Sequence, residues 1–546
     1  MLSDAEWRGG KNHLAADIQM LILALHALGH DTGLALFRDD ELVFAIETER
    51  LSRRKHDSDI QIALSYFAEL FKSEIPRIDL VVTTTNLNIG LLEIANGIQV
   101  QEYIERGNSY FDTSCTLFGR EIPCFVVAHE VAHATLALHF ANWKHNTLVY
   151  VNEGHGTFSR NAIYHFKEGK LSLIAFDTLP WYGSGFGWSG ISSLVGLGRS
   201  PSAAGRTMAL AAYADPKHDL TSILLEQPED LHHASISQKL SAGQAISEAT
   251  RRVVGDVGQA NAALAAALQG LFTEAVVNDV TNFASQIGTT SVALGGGCAL
   301  NLPTNTALRR IFPTLAIPPA CNDSGQALGA GLFAVKFKLG LEPKQFSAQV
   351  NGVGEEDGLI LNMLRGFGLQ VRDFDPIRIA QSLARGGVLA FVDRVSAIGP
   401  RSLGERSLIA DPTAVGMRER VSSRLKKREW FRPLAPVVTE REFQKHFPGE
   451  PSSPNMLFQY AGARDLFPEA THRDGTSRIQ TLQDGANPRL TSILNEFQAL
   501  TGVSGLINTS LNGSGKSIAY GCADVLDDFR LGEIDGYVFG RHLVLG

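Results

Sequence analysis

Short apolar runs that each break off at a glycine-bearing turn, with helix-period stretches between them, restrict this chain more than any other feature. Leu21–Ala27 is an apolar run that stops at Leu28-Gly29-His30-Asp31-Thr32-Gly33, and Leu34–Phe37 and Leu42–Ile46 then flank the turn Arg38-Asp39-Asp40-Glu41. Apolar segments of this length bounded by turn residues read as strands, so a strand hairpin is expected to open a domain here. Leu80–Thr84, Phe125–Ala128, Leu148–Val151 and Ser291–Leu294 repeat the strand signal. Ala128–Phe140, Asn261–Gln286 and Ser324–Phe337 carry the helical one. Strands alternating with long helices indicate an α/β fold.

The pattern breaks near Gly340-Leu341-Glu342-Pro343, and residues 343–358 are polar and glycine-bearing. A first unit over 21–345, a linker over 346–358 and a second α/β unit over 359–546 are therefore expected. The second unit has strand signals at Val388–Val392, Pro436–Thr439, Val503–Ile507 and Tyr537–Phe539. Residues 1–20 read as an N-terminal extension, since Met20 directly precedes the first strand. No repeat of 20–50 residues is seen. Of the 546 residues 44% are hydrophobic and 19% charged, enough apolar material for more than one core. The net charge of −8 argues against a general nucleic-acid binder. The five cysteines are scattered with no C-x-x-C, which suits a reducing cytosol and excludes a zinc ribbon. No uninterrupted apolar stretch approaches the ~20 residues that span a bilayer. Residues 1–19 hold Asp4, Glu6, Trp7 and Lys11 without an apolar signal core, so a cytoplasmic location is expected.

The sharpest local string is His129-Glu130-Val131-Ala132-His133. Histidines at i and i+4 share one helix face and can bind one metal; the bland alternative is a helix with solvent-facing histidines. A zinc protease would use Glu130 as base and His139 as third ligand, but position 136 is Leu where such a site needs Gly. If the helix continues, His139 lies about 15 Å along the axis from His129 and cannot share its ion. Carboxylates are offered by Glu153, after a strand in Asn152-Glu153-Gly154-His155-Gly156, and by Asp323, before a helix. Two imidazoles with one or two carboxylates suit Fe²⁺, Mn²⁺ or Zn²⁺ better than Ca²⁺. Taken alone, Asp323 is equally a helix N-cap. Gly295-Gly296-Gly297-Cys298-Ala299-Leu300-Asn301 follows a strand. Three glycines let a backbone approach a nucleotide or make a plain turn. No Lys-Ser/Thr follows, so this is no P-loop.

The second unit gathers cations in Gly399-Pro400-Arg401-Ser402-Leu403-Gly404-Glu405-Arg406-Ser407, in Lys426-Lys427-Arg428-Glu429-Trp430-Phe431-Arg432-Pro433, and in Arg478-Ile479-Gln480-Thr481. In a chain of net −8 this grouping predicts anion binding, with Arg forks and Lys point charges on phosphate. The bland reading is a solvated basic helix over 418–432. Asn508-Thr509-Ser510 offers short polar side chains at a strand end, where α/β sheets place ligands.

The combination resembles the O-carbamoyltransferases of nodulation-factor and antibiotic biosynthesis, of the nebramycin-synthase type. The likeness runs from residue 21 to 546. It rests on His30-Asp31, Glu47-x-Glu49-Arg50 with Lys55-His56, His129/His133, Glu153-Gly-x-Gly156, Met208-Ala-Leu-Ala211, the Gly295–Asn301 string, Asn322-Asp323, Gly399-Pro-Arg-Ser-Leu-Gly404, Phe431-Arg-Pro-Leu-Ala-Pro436, Arg478-x-Gln-Thr481 and Asn508-Thr-Ser510. The resemblance implies a two-lobed actin-like domain, related to the threonylcarbamoyl transferases of tRNA modification, followed by a YrdC-like domain. It implies that carbamoyl-adenylate is made from carbamoyl phosphate and ATP and its carbamoyl group passed to a hydroxyl of a small-molecule acceptor. Carried over, Arg401, Lys426, Arg432, Arg478, Asn508 and Ser510 would bind carbamoyl phosphate and ATP, with Arg401 and Lys426 catalytic. Gly295, Gly296, Gly297, Asn301 and Asp323 would meet a nucleotide. His129, His133, Glu153 and Asp323 would hold a divalent metal, Fe²⁺ before Mn²⁺ or Zn²⁺, with Mg²⁺ accompanying ATP. His30, on the turn after the first strand, is the expected base for the acceptor hydroxyl. Family members are often dimers.

Two positions depart from the family pattern. Glu153 stands where Asp is frequent, leaving direct, water-bridged or no ligation open, and Arg206 stands where Lys is common. The stretch Trp181–Arg206, with Trp181, Tyr182, Phe186 and Trp188, is expected to offer an aromatic face to the acceptor. A tRNA threonylcarbamoyl-type enzyme should show broader basic surface, and a hydrogenase-maturation carbamoyltransferase should have C-x-x-C motifs and the opposite domain order. A non-catalytic nucleotide-binding scaffold should have lost Lys426, Arg478 or the histidine pair.

Overall fold

The computed structural model describes residues 19–27, 29–84, 88–89, 92–95 and 97–546. The extension expected over 1–20 lies outside the described residues except for Gln19 and Met20.

The chain opens with the antiparallel strands β1 (Leu21–His26), β2 (Gly33–Arg38) and β3 (Glu41–Glu47). After the helix Ile60–Leu70 it returns as β4 (Ile78–Thr84), parallel to β1. A parallel return needs such a crossover, which the amphipathic helix supplies. The sheet continues with β5 (Asn88–Ile89), β6 (Leu92–Ile94), β7 (Tyr110–Leu117) and β8 (Arg120–Val127), in the order β3-β2-β1-β4-β8-β7-β6-β5. The same plan then recurs. β9 (Thr147–Asn152), β10 (Asn161–Lys167) and β11 (Lys170–Phe176) form a meander, and β12 (Ser291–Gly295) pairs parallel to β9, giving β11-β10-β9-β12. This duplication is too long-range to register as a short sequence repeat.

Between the two sheets lie the helices His129–Phe140 and Gln326–Phe333, buried on nearly every side. They touch backbone to backbone: a Cβ at Gly329 would stand 1.9 Å from the carbonyl oxygen of Ala132, and Thr135 Oγ1 donates to the Gly329 carbonyl at 2.9 Å. The helix expected over Ser324–Phe337 divides into a 3₁₀ turn at Asp323–Gly325, the α-helix, and a π turn at Ala334–Lys338. Val257–Ile287 is the one described helix long and apolar enough to cross a membrane; 56% of its apolar window is buried, and its alanine and leucine faces pack in the core. Trp181 and Trp188 are buried in the same core and Trp188 packs on Phe272 at 5.6 Å, so neither faces a pocket as expected. The stretch that carries them is helical, as Gly185–Leu194 and Pro201–Ala211.

The second unit holds β13 (Arg372–Asp373), β14 (Val388–Val392), β15 (Arg406–Ala410), β16 (Pro436–Thr439), β17 (Tyr460–Ala461), β18 (Thr476–Ser477), β19 (Gln480–Leu482), β20 (Gly505–Ser510), β21 (Gly536–Phe539) and β22 (His542–Leu545). Eight of them form one mixed sheet, β13-β22-β21-β14-β15-β20-β16-β19. Two local expectations are corrected. The strand expected at Val503–Ile507 runs Gly505–Ser510, because Gly502 turns the preceding helix off late, so Asn508 and Ser510 sit in the strand and not after it. Helical winding near 418–432 is confined to the π segment Glu419–Leu425; Lys427 turns out at φ +47, leaving Lys426, Arg428 and Arg432 outside any solvated helix.

The segment between the units is not loose. Asn351 is fully buried and bridges to Ala45 on one side and Ser396 on the other. The next helix, Asp357–Gly366, begins inside the expected linker. Arg53 donates to the Ser517 carbonyl at 2.8 Å, and Ser517 Oγ to the Glu49 carbonyl at 2.5 Å, so the units are hydrogen-bonded to each other.

Gly329→Ala forces the two central helices apart. Overpacking of this kind costs about 1–3 kcal/mol, so the thermal midpoint should fall by several degrees and metal retention with it; an unchanged melting curve would contradict the packing. His139 is fully buried on Phe346 with neither ring nitrogen partnered among the described residues, and burial lowers its pKa to about 4. The unfolded imidazole titrates near 6.5, so the unfolded chain binds the extra proton between the two values. Stability is therefore complete above pH ~6.5 and declines toward pH 4. His139→Phe should flatten that part of the urea-midpoint profile.

Candidate active site

His129 and His133 lie one turn apart and direct their imidazoles into the space between the sheets, with Nε2 atoms 3.1 Å apart. Glu153, the residue after β9, brings Oε1 to 2.8 Å from His133 Nε2. Asp323 Oδ1, from the 3₁₀ turn, is 3.3 Å from both Nε2 atoms. All four are buried and their ligand atoms lie within 4.8 Å of one another. Two imidazole nitrogens facing each other beside two carboxylates need a positive charge between them. The electrostatics say the same: burial opposes a charged His133, yet Glu153 and Asp323 outweigh it and hold its pKa at about 9. Burial also pushes the Asp323 carboxyl up, and the two histidines overcome it, leaving it well below the usual range. The donor set fits a divalent transition metal.

The glycine string lies against this cluster. A Cβ at Gly295 would be 3.0 Å from the His133 carbonyl oxygen, and one at Gly296, with φ +89, only 2.2 Å from that of Asn152. The Gly297 N–H donates to Glu153 Oε1 at 2.5 Å. All three glycines thus admit protein atoms. Asn301 caps the helix Leu302–Ile311 through Thr304 N–H and pairs with Gln269. Glu130, the base of a protease reading, instead accepts from the N–H groups of Phe158 and Ser159 at 3.0 Å. His139 packs away on Phe346.

His30 stands at the edge of the cluster, its side chain 44% exposed. Its Nδ1 is 3.1 Å from Asp31 Oδ2 and 3.5 Å from Asp323 Oδ2. Asp31 Oδ1 also meets His56 Nδ1 at 2.9 Å. The hydrogen bond to Asp31, against burial and with help from Asp323, raises His30 to about 9. Asp31 and His56 hold left-handed backbone, φ +58 and +56, which non-glycine residues adopt under constraint.

The cations of the second unit converge. Lys426 is buried, donating to the Ser510 carbonyl and, at 2.6 Å, to Asn512 Oδ1. Arg428 donates to Thr509 Oγ1 and Ser510 Oγ, each at 3.2 Å. Arg432 reaches Glu429, which also binds Arg206 at 2.9 Å. Asn508 is tied to Gln480 at 2.5 Å and to Ser402, forming the floor. Arg401 and Arg478 make no hydrogen bond or ion pair among the described residues, and their Nε atoms are buried. Burial and the neighbouring cations lower Lys426 and Arg478 well below their ordinary values, Arg428 to about 9 and Arg401 to about 10. Sequence reading left Arg428 and Lys55 without roles. Lys55, from the first unit, is exposed but lies close enough to Arg428 and Arg432 for their charges to add to the lowering of its pKa by desolvation.

Two family models match the chain: carbamoyltransferase N-terminus over residues 120–332 and carbamoyltransferase C-terminus over residues 380–545. The chain belongs to the carbamoyltransferase family. The carbamoyltransferase is similar to nodulation protein NolNO of Sinorhizobium fredii, 27% identical over 94% of this chain and 79% of that protein. It is also similar to 3'-hydroxymethylcephem-O-carbamoyltransferase of Amycolatopsis lactamdurans, 28% identical over 93% of this chain and 96% of that one. Among solved structures, full-length HypF in its phosphate- and nucleotide-bound form covers 60% of this carbamoyltransferase and 47% of its own chain, at 16% identity and TM-score 0.32, too distant to carry a structural argument. The mixed α/β fold and transferase class of this carbamoyltransferase agree with the sequence reading.

Purified from cells and analysed for metals, the protein should carry close to one transition-metal ion per chain. His133→Ala should lose it, and Glu153→Gln should weaken retention by about tenfold or more. Full retention in both variants would remove the four-residue cluster as the metal site.

Proposed function

We propose that the second unit makes carbamoyl-adenylate from carbamoyl phosphate and ATP, and that the first unit passes the carbamoyl group to a hydroxyl of a small-molecule acceptor. One observation carries this reading: Lys426 is buried and Arg401, Arg428, Arg432 and Arg478 are partly buried near it, close enough to lower one another's pKa, and Arg401 and Arg478 make no hydrogen bond or ion pair among the described residues. Buried like charges repel strongly unless an anion lies between them. Carbamoyl phosphate and ATP are both multiply anionic. In bond terms, phosphate leaves carbamoyl phosphate to water. The carbamate oxygen then attacks the α-phosphorus of ATP, and pyrophosphate departs.

For transfer, the neutral form of His30, populated as the pH approaches the value of about 9 at which it titrates, accepts the proton of the acceptor hydroxyl as its oxygen attacks the carbamoyl carbon and AMP leaves. Asp31 orients the His30 ring. His129, His133, Glu153 and Asp323 would hold the divalent metal, Fe²⁺ before Mn²⁺ or Zn²⁺, which supplies Lewis-acid charge stabilisation when bound. Gly295–Gly297 position Glu153 and His133 and leave a nucleotide little room on that face. The strand order shared by the two sheets of the first unit supports an actin-like, two-lobed reading over 21–345, with a YrdC-like unit over 359–546. The cephem relative's name points to a natural-product hydroxyl, and the half-exposed His30 leaves room for such an acceptor. A tRNA substrate finds no support in the net charge of −8, and a scaffold none in the intact cation set.

The two half-reactions should separate. Removing a charge-assisted contact to a bound anion costs about 1.5–3 kcal/mol, so Lys426→Ala or Arg478→Ala should slow pyrophosphate release by about 10- to 150-fold. The Lys426→Ala protein should still transfer a supplied carbamoyl-adenylate to the acceptor. His30→Ala should release pyrophosphate normally and fail in transfer. If Lys426→Ala and Arg478→Ala form the intermediate at the unaltered rate, the adenylating site lies elsewhere.

A further inference from the structure

Arg50 is fully buried in the short helix Thr48–Ser52, where the two units meet. Its guanidinium lies 3.0 Å from Glu47 and 2.8 Å from Glu49, and donates at 2.5 Å to the carbonyl of Gly399 in the second unit. Glu47 Oε2 accepts the Gly399 N–H at 3.2 Å. Asn351, from the connecting segment, completes the set: its amide donates to Glu47 Oε2, and its Oδ1 accepts the Glu47 N–H at 3.0 Å. Both polar groups of the Gly399 residue are therefore taken by the first unit. The other side of Gly399, at φ +97, presses on the first unit too, since a Cβ there would stand 2.8 Å from the Pro319 carbonyl oxygen.

Arg401 lies two residues further on. Its side chain makes no hydrogen bond or ion pair among the described residues, so in the absence of an anion nothing polar fixes it except the course of its own backbone. That backbone is anchored at Gly399.

We propose that Glu47, Arg50 and Asn351 form a positioning latch that holds the Gly399–Arg401 turn and so aims the Arg401 guanidinium into the anion pocket of the other unit. None of the three is among the cations of that pocket. The inference rests on reading that pocket as the carbamoyl phosphate and ATP site. Its consequence is that adenylation depends on the docked first unit, and carbamoyl-adenylate is made only where its acceptor domain is already in place.

Arg50→Ala would strand two buried carboxylates and could prevent folding, so the latch is tested with Asn351→Ala and, from the other face, Gly399→Ala in the full chain. Both should raise the KM for carbamoyl phosphate in pyrophosphate release by about tenfold, leaving transfer from supplied carbamoyl-adenylate within about twofold. In an Arg401→Ala background Asn351→Ala should add almost nothing, since residues acting through one group are non-additive. An unchanged KM, or effects that multiply in the double variant, would overturn the latch. Should Arg401→Ala alone leave that KM untouched, the pocket reading fails instead. The latch is then decided by a crystal structure of Asn351→Ala: a displaced 399–401 turn upholds it, and an unmoved turn refutes it.

Discussion

Bringing charged and titratable side chains together at two points is the constraint around which this chain is arranged. Four donors with two carboxylates among them surround one point in the first unit, and five cations surround another in the second. The donors of the first suit a cation, and the Arg/Lys set of the second suits an anion. Such clusters survive folding because apolar packing elsewhere supplies the stability, through continuous cores under both sheets of the first unit and under the sheet of the second. Each is then available for a ligand of the charge it suits.

The segment 319–323 joins the two clusters. Asp323 contributes to the metal donors, the Pro319 carbonyl abuts Gly399, and the Cys321 thiol senses Arg401, which lies close enough to lower its pKa against the larger effect of burial. Arg206 and Lys55 extend the first unit's charge toward the cation pocket through Glu429 and across the junction.

Much of this was legible because the chemistry sits in local strings. The i, i+4 spacing of His129 and His133 fixed one helix face before any coordinates, and Arg401, Lys426, Arg432 and Arg478 stood out as cations gathered in an acidic chain. What was not legible depended on contacts distant in sequence. Trp181 and Trp188 read as a pocket face because aromatic residues near glycines fit either place, and only packing against Phe272 and its neighbours put Trp188 in the core. The end of the strand that carries Asn508 and Ser510 is not legible, because Val503–Ile507 has a strand composition whether or not Gly502 has released the preceding helix. A basic run gives no sign of which side chain turns inward; Thr509 and Ser510, from β20, decide it for Arg428. The glycine string was read for what it could admit, and the admitted atoms proved to be Asn152 and His133.

Glu153 shows how one such long-range contact bears on an ambiguity that the sequence left open. A glutamate in place of the family's frequent aspartate adds a methylene, and by itself that allows direct, bridged or absent ligation. Here the same Oε1 meets His133 Nε2 at 2.8 Å and the Gly297 N–H at 2.5 Å. A Cβ at residue 297 would lie 3.2 Å from the other carboxylate oxygen, so the glycine leaves room for the longer side chain. The backbone N–H then pins the carboxylate toward the histidines and removes the rotational freedom that the extra methylene introduced. Glu153 and Gly297 thus act as a pair, and the third glycine of the string is explained by the length of a side chain 144 residues earlier.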